Sequence, residues 1–267
     1  MNDLAGVKNN GNRQARLIFN RRRISFVDGR SGPAIGWRLE GRRPNMLDRA
    51  IAFIRQRLVA GRLPEGERGI RLLGHRRYVG GRWEHIGRLQ FEFLVGQGLK
   101  PSDVFLDVAC GALRGGVHFI RYLDAGGYLG LDKERSLIDL GLERELGAEL
   151  MREKRPEFVV SDRFEFERFT QRPRYALALS LFTHLNEADI RLCLRKLRDF
   201  VEPGHRFYAT FFEGRPERNR ARSHSLDHFE YTREQLLAFG AESGWEPEYL
   251  GDWGHPRGQR MMRYTAV

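Results

Sequence analysis

From residue 100 onward, apolar and polar positions alternate between two rhythms. Short apolar runs bounded by glycine, proline or charged residues occupy 104–109, 127–131, 157–161, 175–181, 206–212, 246–250 and 261–265. Their length and their Val, Leu, Phe and Tyr content predict strands. Between them, 115–123, 136–142, 187–200 and 233–243 carry apolar residues three and four apart, the period of a helix with one buried face. Thr232 and Gln235 open the last of these at the spacing of a capping box. Strands separated by helical segments predict a doubly wound α/β fold, in which helices cross over a parallel sheet.

The pattern before residue 100 is less regular. Residues 1–12 are polar and rich in Gly and Asn, and 15–28 hold two short apolar runs around three arginines, the outline of a hairpin. Asn45 stands as an N-cap before Leu47, Ile51, Ile54 and Leu58, which share one helical face, and Pro64 and Gly66 end that helix. A further helix is predicted over 84–98, with Ile86, Leu89, Phe93 and Leu94 inward. The chain therefore divides into an N-terminal extension, 1–77, and a domain, 78–267.

Charge sharpens that division. The net charge of the 267 residues is +11. Residues 1–80 hold 18 basic and 6 acidic residues, net +12, against 28 and 29 in the remainder, net −1. Only five of the basic residues are Lys, so the extension is Arg-rich. Two readings stand: an arm that holds a polyanion, or an Arg-favouring codon bias. On the first, the extension acts on the substrate side or on assembly, as in a homo-oligomer. No apolar run is long enough to predict a membrane span, and the N-terminus lacks the apolar stretch of a signal peptide. Cys110 and Cys193 have no metal-type spacing, and their scarcity predicts a reducing, cytoplasmic setting without a disulfide framework.

The sharpest local signal is the string from Phe105 through Asp107, Ala109, Cys110, Gly111 and Arg114 to Gly115 and Gly116. An apolar strand runs directly into a glycine-bearing turn that opens a helix, a place where backbone can approach a ligand closely and unpaired N–H groups face it. Asp132 ends the next strand and can accept hydrogen bonds from the ribose hydroxyls of a nucleoside. The G-x-G-x-x-G of nucleotide oxidoreductases is absent.

These residues resemble the class I S-adenosylmethionine (SAM)-dependent methyltransferases, whose first strand ends in Asp/Glu-x-Gly-x-Gly and whose second ends in an acidic residue. The likeness covers roughly 78–265. Ala109 stands where that pattern has its first glycine, and an alanine there fits a turn of negative φ. The glycines at 115 and 116 resemble a Cys-Gly-x-Leu-Arg-Gly-Gly variant of bacterial members. The resemblance implies a seven-stranded, mostly parallel sheet with an antiparallel last strand, and SAM as cofactor. It implies that Asp107, Ala109, Gly111, Gly115 and Asp132 line the cofactor site. It also implies that Asp162 contacts the adenine amine beside Phe164, and that 78–90 folds over the pocket with Trp83 and Gln90 facing SAM. Plain readings stand beside these: a solvated turn at Asp162, and ordinary helix packing at Trp83 and Gln90.

Ligands of open α/β sheets bind beyond the carboxyl ends of the strands. His184 follows the fourth strand, so it is the candidate general base for a substrate hydroxyl, or else a residue that packs beside the cofactor. Residues 213–231 form a long polar insert whose His224, Asp227 and His228 suit a polar substrate or, less well, a metal; no metal is expected. His255 and Arg257, between the last two strands, suit an anionic or sugar-like substrate. The expected reaction is methyl transfer to an oxygen of a small-molecule or saccharide hydroxyl. The rivals are an RNA methyltransferase that uses the basic extension, and a non-catalytic protein of the same fold. The first lacks an Asn/Asp-Pro-Pro-aromatic motif, since Leu181-Phe-Thr-His184 stands in its place.

Overall fold

The computed structural model describes residues 64–267. The predicted hairpin at 15–28, the helix behind Asn45 and most of the basic extension lie outside the described residues.

Three helices come first: α1 (Gly66–Leu73), α2 (His75–Tyr78) and α3 (Trp83–Gly96). The α/β unit follows as β1 (Phe105–Val108), α4 (Gly116–Tyr122), β2 (Tyr128–Asp132), α5 (Arg135–Gly141), α6 (Ala148–Lys154) and β3 (Glu157–Val160). Its second half is β4 (Tyr175–Ala178), α7 (Glu187–Phe200), β5 (Arg206–Glu213), β6 (Glu230–Tyr231), α8 (Arg233–Glu242), β7 (Trp245–Asp252) and β8 (Arg260–Ala266). A π-helical turn, Leu142–Leu146, joins α5 towards α6. Every strand and every helix predicted from residue 84 onward is present, within a few residues at the ends. Helices α1, α2 and α6, the π turn and β6 are additions that their short or irregular patterns hid.

The strand order is β3-β2-β1-β4-β5-β8-β7. β1 pairs in parallel with β2 and β4, whereas β8 runs antiparallel to both β5 and β7, as the expected topology requires. The two-residue β6 adds an eighth strand, paired in parallel with the end of β5, so the polar insert is anchored at its return.

Side chains alternate between the two faces of the sheet. Leu106, Val108, Leu129, Leu131, Ala176 and Phe207 enter one core with α7 and α8, and Phe105, Tyr128, Tyr175, Leu177 and Tyr208 enter the other with α3 and α4. Buried on both faces, β1, β2 and β4 read as mostly apolar runs, with Asp107 inside β1 and Asp132 at the end of β2 as the charged exceptions. Helix α7 faces its core with Ile190, Cys193, Leu194 and Leu197, and the Asn186 side chain caps its first turn by accepting from Asp189 N at 2.9 Å. The capping box of Thr232 and Gln235 forms in both directions at α8.

Helix α5 approaches the turn after β1 so closely that a Cβ on Gly141 would stand 2.8 Å from the Ala112 backbone. Gly96, at the end of α3, has open space around the same position. Gly141→Ala should therefore destabilise the fold by about 1–3 kcal/mol through overpacking. Gly96→Ala should be neutral or stabilising by up to about 1 kcal/mol, because it removes backbone freedom from the unfolded chain. Chemical denaturation of the two variants reads both signs, and equal effects would contradict the packing.

Candidate functional site

The carboxyl ends of β1 to β5 share one edge, and most of the predicted site residues gather there. Asp107, in β1, is 4% exposed and its carboxylate accepts from the Tyr128 hydroxyl at 2.9 Å. Burial pushes its pKa up to about 7. Asp132, at the end of β2, accepts from Gly111 N and Glu134 N, each at 2.8 Å. Burial raises its pKa to about 6 against the lowering pull of those two N–H groups.

Between these carboxylates lies the glycine-bearing turn. It uses three left-handed residues, Ala109 (φ 64°), Gly111 (φ 54°) and Leu113 (φ 66°). The negative φ expected of Ala109 is thus corrected: the alanine keeps the conformation a glycine would take, at a cost of roughly 1–2 kcal/mol. Ser180 (φ 61°), after β4, and Phe164 (φ 56°), after β3, are also left-handed. Such strain collects where surrounding structure holds the backbone for a ligand.

Residues 78–83 lie against this turn. Arg114 donates from Nη1 to the carbonyls of Val79 at 3.0 Å and Gly81 at 3.1 Å. Arg257 donates to the Gly80 carbonyl. Trp83 is buried with Ile70, Ala112 and Leu137, its ring edge-on to His75 at 5.8 Å with the Arg76 guanidinium over it at 4.9 Å. Gln90 is buried, and a Cβ on Gly115 would come within 2.3 Å of its amide, so with glycine there the Gln90 side chain packs directly on the turn.

Asp162 is exposed directly after Ser161, whose N–H donates to the Asp132 carbonyl at 3.0 Å. Phe164 instead enters the core, stacked on Phe166 at 6.1 Å.

His184 follows β4 in a turn closed by its own N–H to Leu181 O. Its Nδ1 stands 2.7 Å from the Asp227 carbonyl. A carbonyl only accepts, so Nδ1 carries the proton and Nε2 presents a lone pair. Burial holds the imidazole below its ordinary pKa, with the positive Lys133 and Arg257 adding to the effect. The insert reaches this turn twice more, through His224 N to His184 O at 3.0 Å and Phe229 N to Thr183 O at 2.9 Å.

The other insert residues serve different contacts. His224 Nδ1 pairs with Glu65 at 3.0 Å, and His228 stacks on Phe212 at 4.0 Å and lies 3.5 Å from Glu230. Among the described residues, no group of three His, Cys, Asp or Glu side chains is arranged to hold a metal ion. A cleft of about 460 Å³ lies between the insert and the first turns of α7 and α8, lined in part by Asn186, Asn219 and Arg220.

His255 is 5% exposed and neither of its ring nitrogens has a hydrogen-bond partner. Its ring stacks on Trp253 at 5.4 Å. The same loop is tied to the end of β4, where Gln259 Nε2 donates to Ser180 Oγ at 2.9 Å. Arg114 and Arg82 join His255 and Arg257 here, and sequence reasoning missed both. The Leu-Arg-Gly-Gly string held the signal for Arg114; nothing in the pattern marks Arg82.

No protein-family model matches the chain, and no curated protein matches it in sequence. Solved structures do match its fold. The CcbJ methyltransferase of Streptomyces caelestis aligns with a TM-score of 0.55 at 14% identity, over 71% of this chain and 98% of its own. The glycopeptide N-methyltransferase MtfA, complexed with SAM, aligns at 0.53 and 15% identity over 68% and 94%. The magnesium protoporphyrin IX methyltransferase of Synechocystis, with bound SAM, aligns at 0.51 and 13% over 72% and 89%. The fold is therefore the Rossmann-like fold of class I SAM-dependent methyltransferases. Among the described residues no helix is long and apolar enough to cross a membrane.

The raised carboxylates give a test independent of any ligand. The folded pKa of Asp107, about 7, exceeds its ordinary 3.8, so the native state binds the proton more tightly than the unfolded chain. Its contribution is complete below the unfolded pKa and is lost as pH rises through the folded one. Asp107→Asn removes that loss. Its stability relative to wild type should rise as pH goes from about 4 to about 8, by an amount on the order of a few kcal/mol. Denaturant titrations across that range check this; a constant difference would mean that the carboxylate is ionised throughout.

Proposed function

We propose that the chain is a SAM-dependent methyltransferase that methylates an oxygen of a small-molecule or saccharide hydroxyl. The observation that carries the cofactor assignment is the 2.8 Å approach of the Gly111 N–H to the Asp132 carboxylate, at the adjoining ends of β1 and β2. A nucleoside needs that pair of groups: an acceptor for its ribose hydroxyls and a backbone free of side chain beside it. A Cβ on Gly111 would meet Val79 at 3.1 Å, so the turn also needs a glycine there if residues 78–83 are to cover it. The fold shared with methyltransferases whose structures hold SAM supports the same reading.

When bound, SAM supplies an electrophilic methyl group. The chain's own residues do the rest. Asp132, Gly111 and Gly115 hold and orient the nucleoside, with Asp107 and Ala109 shaping the floor of the turn and Asp162 beside the base. Trp83 and Gln90 fix the covering segment, which excludes water from the cofactor side. His184, neutral and protonated on Nδ1, takes the acceptor's hydroxyl proton on Nε2 as the oxygen becomes nucleophilic. The insert, with His224 and His228, and the loop of His255 and Arg257 border the acceptor. Residues 1–77 act on the substrate side or on assembly.

Asp132→Ala should weaken SAM and S-adenosylhomocysteine together, because both carry the ribose. A charge-assisted hydrogen bond of roughly 1.5–3 kcal/mol corresponds to about a 10- to 150-fold loss. Isothermal calorimetry with unchanged affinity for both would remove the cofactor assignment.

His184→Ala should lower single-turnover rates by about 10²–10⁴-fold, the range for general base catalysis, while S-adenosylhomocysteine affinity stays nearly intact. In the wild type the rate should fall at acid pH as Nε2 protonates. Because burial lowers the His184 pKa, that limb should lie below the ordinary value of about 6.5. A variant that keeps more than about a tenth of the rate would make His184 a packing residue.

A further inference from the structure

The basic groups around the glycine turn carry an excess that the cofactor assignment does not use. Arg114 is 9% exposed, and its hydrogen bonds go to carbonyls. Burial and the neighbouring Arg257 lower its pKa to about 10. Arg82 and Arg257 are the exposed members of the group, and partial burial, then the neighbouring Arg82, lowers the pKa of Arg257. None of the three guanidiniums forms an ion pair with a carboxylate among the described residues. The one carboxylate that acts on Arg114 is Asp107, and Tyr128 already engages it.

His255 is set among these cations. Burial, then Arg114, Arg257, Arg82 and His85, hold its imidazole neutral down to about pH 4. Both ring nitrogens are buried and unpartnered, an arrangement that costs stability unless something else binds there. Like charges gathered beside an unsatisfied buried ring mark a candidate binding site, and their sign favours an anionic guest. Guanidinium forks match an oxyanion in geometry as well as charge.

We propose that Arg82, Arg114, Arg257 and His255 form an oxyanion-binding site for the methyl acceptor, whose substrate is therefore a hydroxyl compound bearing a carboxylate or phosphate. This rests on the methyltransferase reading. The site faces the acceptor because its loop is bonded to the end of β4 through Gln259 and Ser180, on the opposite side of β1 from Asp132. The positive charge of Arg257 is also felt at His184, which it helps to keep neutral. Arg82 and Arg257 are its exposed members, and Arg114 and His255 its buried ones. Arg257 has a second duty, since its bond to Gly80 O clamps the covering segment.

The test titrates benzoate and inorganic phosphate into the full chain saturated with S-adenosylhomocysteine. Calorimetry and the fluorescence of Trp253, stacked on His255, both read the binding. Saturable binding of either probe, weakened about tenfold or more in Arg82→Gln and in Arg257→Gln, is expected. Arg82→Gln leaves the Gly80 clamp in place, so it still decides the matter if Arg257→Gln disturbs the fold. The absence of saturable binding, or binding equal in wild type and Arg82→Gln, overturns the proposal. If S-adenosylhomocysteine displaces both probes completely, the cations serve the cofactor's own carboxylate and the acceptor assignment falls. A chain that binds the probes but shows no heat with S-adenosylhomocysteine keeps the oxyanion site and loses the methyltransferase reading, so the two failures are separate.

Discussion

A buried carboxylate ties together the ends of two adjacent strands, and the site is built around that tie. Asp132 Oδ2 accepts from Gly111 N, which fixes the turn after β1 to the end of β2. Its other oxygen takes Glu134 N and so sets the start of α5. Helix α5 then packs back on the same turn at Gly141. One side chain thus positions a loop, a strand end and a helix, and it does so with a group that burial would rather protonate. In the proposed function, ribose hydroxyls would relieve that penalty by donating to the acceptor sites that Gly111 N and Glu134 N leave open on the two oxygens.

The strain in the turn has the same origin. Ala109 and Leu113 are left-handed although neither is glycine. The bonds that over-determine them come from outside: Asp132 holds Gly111, and Arg114 holds the carbonyls of Val79 and Gly81. Residues 78–83 are therefore part of the turn's support as well as its cover. A change in that segment reaches the turn through Arg114 as well as through the packing of Val79 against Gly111.

The sheet was legible because its central strands are buried on both faces and read as mostly apolar runs between turn residues. The Phe105–Gly116 string was legible because a strand entering a glycine turn leaves its mark within a dozen neighbouring residues. What stayed hidden depends on contacts between distant positions. Arg114 gains its meaning from Val79 and Arg257, and the tautomer of His184 from a carbonyl at 227. Strand β6 is too short for a pattern, and α1 begins at a glycine that reads as a stop. Ala109 shows the limit of residue-type rules: an alanine suggests negative φ, yet tertiary bonds impose the opposite.

The edge of the sheet is electrically divided, and the division explains why the groups near the turn do not simply neutralise one another. On the β2 side, Asp107 and Asp132 satisfy their oxygens with Tyr128 and backbone N–H groups. Arg114 satisfies part of its fork with the Val79 and Gly81 carbonyls, Arg257 donates to the Gly80 carbonyl, and Arg82 and Arg257 are exposed. An Asp107–Arg114 ion pair would cancel both charges within the core and leave the positive potential to Arg82 and Arg257 alone. By giving Asp107 to a tyrosine, the fold keeps the positive potential on the face where His184 waits with a free Nε2. That potential disfavours protonation of His184 and attracts an anion to the same face. In the proposed reaction, an acceptor's oxyanion, once seated, would screen the cations and raise the proton affinity of His184, the proposed base, just as the hydroxyl proton needs a destination.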